Sequence, residues 1–330
     1  MRIDIHSHLM SVAFLEHLRG RDTLPTAVRD ADGFVAHCAP LLSLPYRPPI
    51  LSAEAKLADM DVAGIGLAVL SHGLPGPAVL GGARADSWAA RINDELAVIT
   101  AAHPGRFAGW GSLGFGDPAR TIAEVDRCLD ELGLAGFQVW SNADGRPLDA
   151  PDVLPVLEYI ADRGAAIHLH PTLPAGQGAM DPATLLGLAF PADTSLAVLR
   201  LISAGLFDRN PVIVAAHLGG VLTWLRERLD IYGQASPLSG SPARLARPVG
   251  DYLDQLYVDT VGYGAGPLEY CYTQVGAGRL LFGTDHPYGA PGLPGQLVDH
   301  LPCTVAERQQ ILAGNAQRLL RLDVAAAETA

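Results

Sequence analysis

The chain has 330 residues, of which 49% are hydrophobic and 18% charged, and it carries a formal net charge of −12. Such a composition describes a globular protein with a large core, long enough for one large α/β barrel or two ordinary domains. The acidic balance leaves no basic stripe to neutralise phosphates, which argues against nucleic acid and against an anionic membrane surface as partners.

The first predicted strand covers 2–6 and runs into His6-Ser7-His8. Side chains alternate along a strand, so two histidines at i and i+2 face the same way and can grip one metal ion together. Further apolar runs predict strands at 65–71, 106–113, 134–140, 165–170, 211–217, 256–261 and 279–285. Helices are predicted between them at 52–62, 86–102, 118–131, 152–163, 193–207, 219–232 and 264–276, with a last one at 304–320. Asp117-Pro118, Ala150-Pro151-Asp152 and Asp193-Thr194 read as helix starts, with proline or a capping side chain in the first turn. Gly105, Gly133 and Gly164 read as helix ends.

Eight strands, each followed by a helix, are the count of a (β/α)8 TIM barrel, and the runs are too continuously apolar for one-sided sheets. An open doubly wound sheet is the competing fold, but no Gly-x-Gly-x-x-Gly or phosphate-binding loop supports it. No linker or repeat interrupts the alternation, so 1–330 reads as a single domain. Three connections are longer than needed: 9–51, 171–192 and 233–250. The first two leave the C-terminal ends of strands, the catalytic face of a barrel, and 9–51 reads as a long loop insertion that closes as a lid.

Cys38, Cys128, Cys271 and Cys303 lack any Cys-x-x-Cys spacing and read as reduced thiols. With a strand from residue 2 there is no room for a signal peptide, and no apolar run reaches the roughly 18 residues of a membrane span. A cytoplasmic protein is expected.

Placed on barrel tips, the polar residues form a pattern. His6 and His8 end strand one, His168 and His170 end strand five, His217 ends strand six and Asp285 ends strand eight. Strand tips converge around the barrel axis, so these groups surround a common point. Imidazoles and a carboxylate suit a borderline divalent ion, and a site with an open position is catalytic rather than structural. A further histidine within reach can shuttle a proton near neutral pH.

Asp4-Ile5-His6-Ser7-His8, His170-Pro171, His217-Leu218-Gly219-Gly220 and Gly283-Thr284-Asp285-His286-Pro287 together resemble the amidohydrolase superfamily. More narrowly, they resemble its aminocarboxymuconate-semialdehyde decarboxylase-like branch, and the likeness covers nearly the whole chain. The resemblance implies one divalent ion, Zn²⁺ or alternatively Mn²⁺, held by His6, His8, His170 and Asp285, with His217 as the acid/base residue. Two-metal relatives use a lysine at the tip of strand four, where this chain reads Phe137-Gln138-Val139-Trp140; Lys56, the one lysine of the chain, is predicted on a helix and does not replace it.

The expected activity is decarboxylation of a small aromatic or unsaturated hydroxy-carboxylate, with Asp285 or His217 supplying the proton. Hydrolysis of a lactone, ester or amide by the same groups is the alternative. Arg47 is expected to clamp a substrate carboxylate, and Trp140 and His168 are expected to line the substrate pocket. The expected partners are a small carboxylate substrate and a second copy in a homodimer. Three departures from the family, Leu218 after His217, His168 and His286, bear on substrate rather than on metal.

Overall fold

The computed structural model describes residues 1–176, 178–233, 245–289 and 293–322. Eight short parallel strands form its centre: β1 (Ile3–His8), β2 (Leu67–Ser71), β3 (Phe107–Ser112), β4 (Gly136–Trp140), β5 (Ala166–His170), β6 (Val212–Ala215), β7 (Tyr257–Asp259) and β8 (Leu280–Leu281). Each pairs with the next in chain order. The ring closes through Ile5 N to Phe282 O, Asp285 N to His6 O and His8 N to His286 O, at 3.0, 2.8 and 2.9 Å. The fold is the (β/α)8 barrel, and that closure rules out the open sheet.

β1 carries one extra residue. Ile3 and Asp4 oppose Leu67 and Ala68, whereas Ser7 and His8 oppose Leu70 and Ser71, so the register slips between Asp4 and Ser7. A bulge of this kind re-aims the side chains that follow it. Ile3 and Ile5 join Leu67, Val69, Trp110, Ala166, Val214 and Leu281 in one buried cluster. Residues drawn from so many strands meet only inside the barrel, so Ile5 and then His6 and His8 all turn inward. Asp4 and Ser7 turn out instead, toward the helix Ala53–Ala63 that carries Lys56.

A second and larger cluster packs between strands and helices. Asp117 caps its helix by accepting from Arg120 N at 2.9 Å, as the sequence predicts, and Gly133 and Gly164 end helices at positive φ. The other two expected starts shift. After Ala150 a turn intervenes and the helix begins at Leu154. Asp193 lies inside a helix that starts at Pro182, and its carboxylate accepts from Ser141 and Asn142 instead of capping. That helix, Pro182–Ser203, has the length and apolarity of a membrane span, against the sequence expectation, but its buried residues pack into the barrel's outer layer.

Residues 9–51 differ most from expectation. They hold a helix (Val12–Arg19) and a three-stranded antiparallel sheet (Thr26–Asp30, Gly33–Ala39, Leu42–Tyr46) rather than a loop. This sheet has its own apolar core, in which Phe14, Phe34 and Tyr46 pack with Leu74, Trp140 and Phe190 from the barrel's upper face. It is thereby anchored over the strand tips.

Candidate metal centre

The site is built from the ends of β1, β5, β6 and β8. His6 Nδ1 lies 2.7 Å from Asp259 Oδ2, so Nδ1–H donates to the carboxylate and Nε2 faces inward. Asp259 is held in turn by the backbone N–H groups of Leu218 and Val261, at 3.1 and 3.0 Å. His6 Nε2 is 3.2 Å from His8 Nε2 and 3.2 Å from Asp285 Oδ1. His8 Nδ1 meets Ser71 Oγ at 3.0 Å, and its Nε2 lies 3.2 Å from Asp285 Oδ1. His170 donates its Nδ1 proton to Pro171 O at 2.8 Å. That fixes its Nε2 as a bare lone pair, buried and without a protein partner. His217 Nε2 stands 3.5 Å from Asp285 Oδ2.

His217, Leu218, Tyr263 and Asp285 all have φ between 52° and 58°, left-handed positions that cost non-glycine residues energy. Sharp turns at three strand tips aim their side chains back over the barrel mouth. Gly220 lets this happen, because a Cβ there would sit 2.2 Å from Pro191 O.

Two buried carboxylates, Asp259 and Asp285, flank His6 and ask for positive charge between them. Burial pushes the His6 imidazole down, but the two aspartates outweigh it and raise it to about 10. Burial alone would push Asp285 up; His6, His217 and His8 instead hold its carboxyl well below the usual range. Burial, aided by the charge on His6, lowers His8 to about 4 and His170 well below the ordinary imidazole value. His8 and His170 are thereby neutral, lone-pair-bearing imidazoles beside an ionised carboxylate, the protonation state in which such groups ligate, whereas His6 carries a proton that an arriving cation would displace. One ligand atom each from His6, His170, His217 and Asp285 lie within 4.8 Å of one another. The donor set and the bare His170 Nε2 fit a divalent ion.

The other expected contact residues are placed differently. His168 is fully buried one layer below, stacked on Trp110 with ring centroids 5.6 Å apart. Trp140 packs edge-on against His170 at 5.2 Å and under the side sheet. Arg47 stays in that sheet, its guanidinium 3.1 and 3.2 Å from the Asp30 carboxylate and 3.3 Å from Phe34 O. It does not line the cavity, because antiparallel pairing puts its nearest acceptors on its own sheet.

Two site residues escaped the sequence reading. Asp259 ends a strand in Tyr257-Val258-Asp259-Thr260, and the clue is a carboxylate at a strand tip, as for Asp285. Tyr263 donates to Asp285 Oδ2 at 2.5 Å, from a Gly262-Tyr263-Gly264 turn where an aromatic between glycines is the only signal. Beyond Asp285, His286 accepts from Lys56 Nζ at 2.7 Å on Nδ1 and donates from Nε2 to Asp59 at 3.0 Å. Lys56 also reaches Ser7 Oγ at 3.1 Å, so the chain's one lysine braces the β1 and β8 tips from outside.

The centre opens into a cavity of about 590 Å³. His8, His170, His217, Asp285 and Tyr263 lie at one end; the rest of the wall is mostly apolar.

Comparison with known proteins bears on all of this. A family model described as "Amidohydrolase" matches residues 3–322. The gamma-resorcylate decarboxylase of Polaromonas sp. (strain JS666) is 31% identical over 333 residues, 94% of this chain and 98% of that protein. A 2-amino-3-carboxymuconate-6-semialdehyde decarboxylase of Dictyostelium discoideum is 32% identical over 239 residues, 70% of this chain and 66% of that protein. Among solved structures, a dihydroxybenzoic acid decarboxylase from Polaromonas sp. JS666, with bound manganese and the inhibitor 2-nitroresorcinol, superposes with a TM-score of 0.79. It is 24% identical, covering 99% of this chain and 98% of that one, a likeness of fold.

Proposed function

Because the chain belongs to the amidohydrolase family, we propose that it is a metal-dependent decarboxylase of a small aromatic hydroxy-carboxylate. The observation that carries the reading is the convergence of His6, His8, His170, His217 and Asp285 at the polar end of an otherwise apolar cavity. Relatives named as decarboxylases, one matching over nearly its full length, support it.

His6, His8, His170 and Asp285 would hold one divalent ion; imidazole-rich ligation favours Zn²⁺, and the manganese of the solved neighbour keeps Mn²⁺ beside it. Once bound, the ion would polarise the oxygens of the substrate's carboxylate and adjacent hydroxyl.

The protein's own groups then handle the proton. The ring carbon that bears the carboxylate takes up a proton, the carbon–carbon bond to the carboxylate breaks, and its electron pair returns to the ring as carbon dioxide leaves. The product is the phenol with hydrogen in place of the carboxylate. Delivery of that proton is assigned to Asp285 or His217, which stand 3.5 Å apart; the ionised Asp285 would first have to take a proton up before it could give one to the ring. Tyr263 keeps its own proton, since burial and the Asp285 charge push its hydroxyl up, and it orients the Asp285 carboxylate. The apolar wall would exclude water from the protonated, dearomatised ring, and the side sheet of 9–51 would serve as the cover.

The test is a screen of purified, metal-reconstituted protein for carbon dioxide release from ortho-hydroxybenzoates, with a panel of lactones, esters and amides in parallel. Hydrolysis without carbon dioxide release would replace this reading with the hydrolase alternative.

A further inference from the structure

The cavity also says what the rest of the substrate looks like. Its polar side chains are those of the metal end and Tyr288, whose ring lies 5.7 Å from that of His8 and whose hydroxyl meets Tyr46. Away from that end the wall is Leu44, Leu74, Leu186, Phe190 and Val221. Among the described residues no lysine or arginine lines it. Lys56 is buried behind the β1 tip, and Arg47 is committed to Asp30. A second carboxylate on the substrate would lie against leucine and phenylalanine with no cation among the described residues, and desolvating an unpaired carboxylate is costly.

The same wall has room to spare. At about 590 Å³ the space lies in the range of sites for ligands larger than one bare ring. Gly187 lines it from the widened helical turn Leu185–Ala189, and a built Cβ there would meet nothing within 4 Å. Such π turns frequently mark functional sites. Leu186 beside it is 44% exposed although it faces this cavity, an apolar side chain left without a partner until something apolar occupies the space.

We infer that the substrate is a monocarboxylic acid whose hydroxyl and carboxylate share one edge and whose remaining body is an apolar alkyl- or aryl-substituted ring lying against Leu186 and Gly187. This rests on the decarboxylase reading for the orientation of the polar edge. It excludes acids with a second carboxylate on the far side.

The experiment compares three acids: ortho-hydroxybenzoate, the same acid with an alkyl chain opposite the polar edge, and the same acid with a second carboxylate there. Binding to metal-loaded protein is measured by calorimetry, and carbon dioxide release is measured separately. The alkyl acid should bind more tightly by about fourfold per buried methylene, and the diacid should bind at least a hundredfold more weakly than the alkyl acid. Gly187→Leu fills the open space from an exposed helical position, so it should fold normally and bring the alkyl-to-parent affinity ratio toward one. A diacid that binds as well as the alkyl acid, or an alkyl preference that survives Gly187→Leu, overturns the inference. The expected binding order without carbon dioxide release leaves this inference standing and removes the decarboxylase reading; release with the opposite order does the reverse.

Discussion

His6 Nδ1 stands 2.7 Å from Asp259 Oδ2, and neither side chain exposes any surface. The contact fixes the imidazole's tautomer and presents Nε2 to the centre of the site. Partners of this kind are worth about 10–100-fold in metal affinity. Asp259→Asn should therefore weaken metal binding by that order while circular dichroism stays unchanged. Unaltered affinity would reduce Asp259 to a backbone cap for Leu218 and Val261.

Metal analysis should find about one tightly bound divalent ion per chain after reconstitution. His6→Ala and Asp285→Ala should each lower occupancy, because each removes a group from the converging set. Two equivalents of tightly bound metal, or undiminished occupancy in both variants, would break this assignment.

His217→Asn should keep its metal yet lose turnover by about 10²–10⁴-fold, the usual contribution of an acid/base group. His217 is also within ligand distance of the cluster, so metal content decides between the roles. Loss of the ion along with activity would make His217 a ligand.

Arg47→Ala should leave kcat/KM for an acidic substrate within about twofold of the parent and cost no more than about 1 kcal/mol of stability. Its guanidinium belongs to a half-exposed ion pair with Asp30, and pairs of that sort contribute little. A large rise in KM for acids alone would mean that the side sheet moves and carries Arg47 to the substrate.

Lys56 supplies a pH dependence. Burial lowers its ammonium to about 7, against the partial opposition of Asp4 and Asp59. The unfolded chain holds that proton up to about 10.4. Between pH 7 and 10 the unfolded state therefore binds more protons, and stability from this group rises with pH, by up to about 1.4 kcal/mol per unit. Urea unfolding of Lys56→Met should show a flatter stability profile over that window; an unchanged slope would show that Lys56 titrates normally.

The barrel and its histidine-bearing tips were legible because each rests on a local pattern. Apolar runs of strand length alternate with helical stretches, and His6, His8, His170, His217 and Asp285 sit where those runs end. What was hidden depends on register or on distant pairing. The bulge in β1 cannot be read from Ile3-Asp4-Ile5-His6, since nothing in that string says which face gains a residue. Asp259 and Lys56 reveal their roles only when β7 and the helix Ala53–Ala63 come beside β1. Within 9–51 the strands are short and broken by Pro25 and Pro45, and their apolar faces match a core that includes Trp140 and Phe190, remote in sequence. Arg47 read as a clamp because its loop leaves the catalytic face; its sheet partner Asp30 could not be foreseen.

Because the only lysine is fully buried, no side chain on the surface presents a primary amine. Acylating reagents and amine crosslinkers would find no lysine on the folded protein, and attachment to Lys56 would have to wait for the helix Ala53–Ala63 to come away from β1. The rate of modification at this one residue is then a clock for opening of the barrel's first seam, with no background from other lysines.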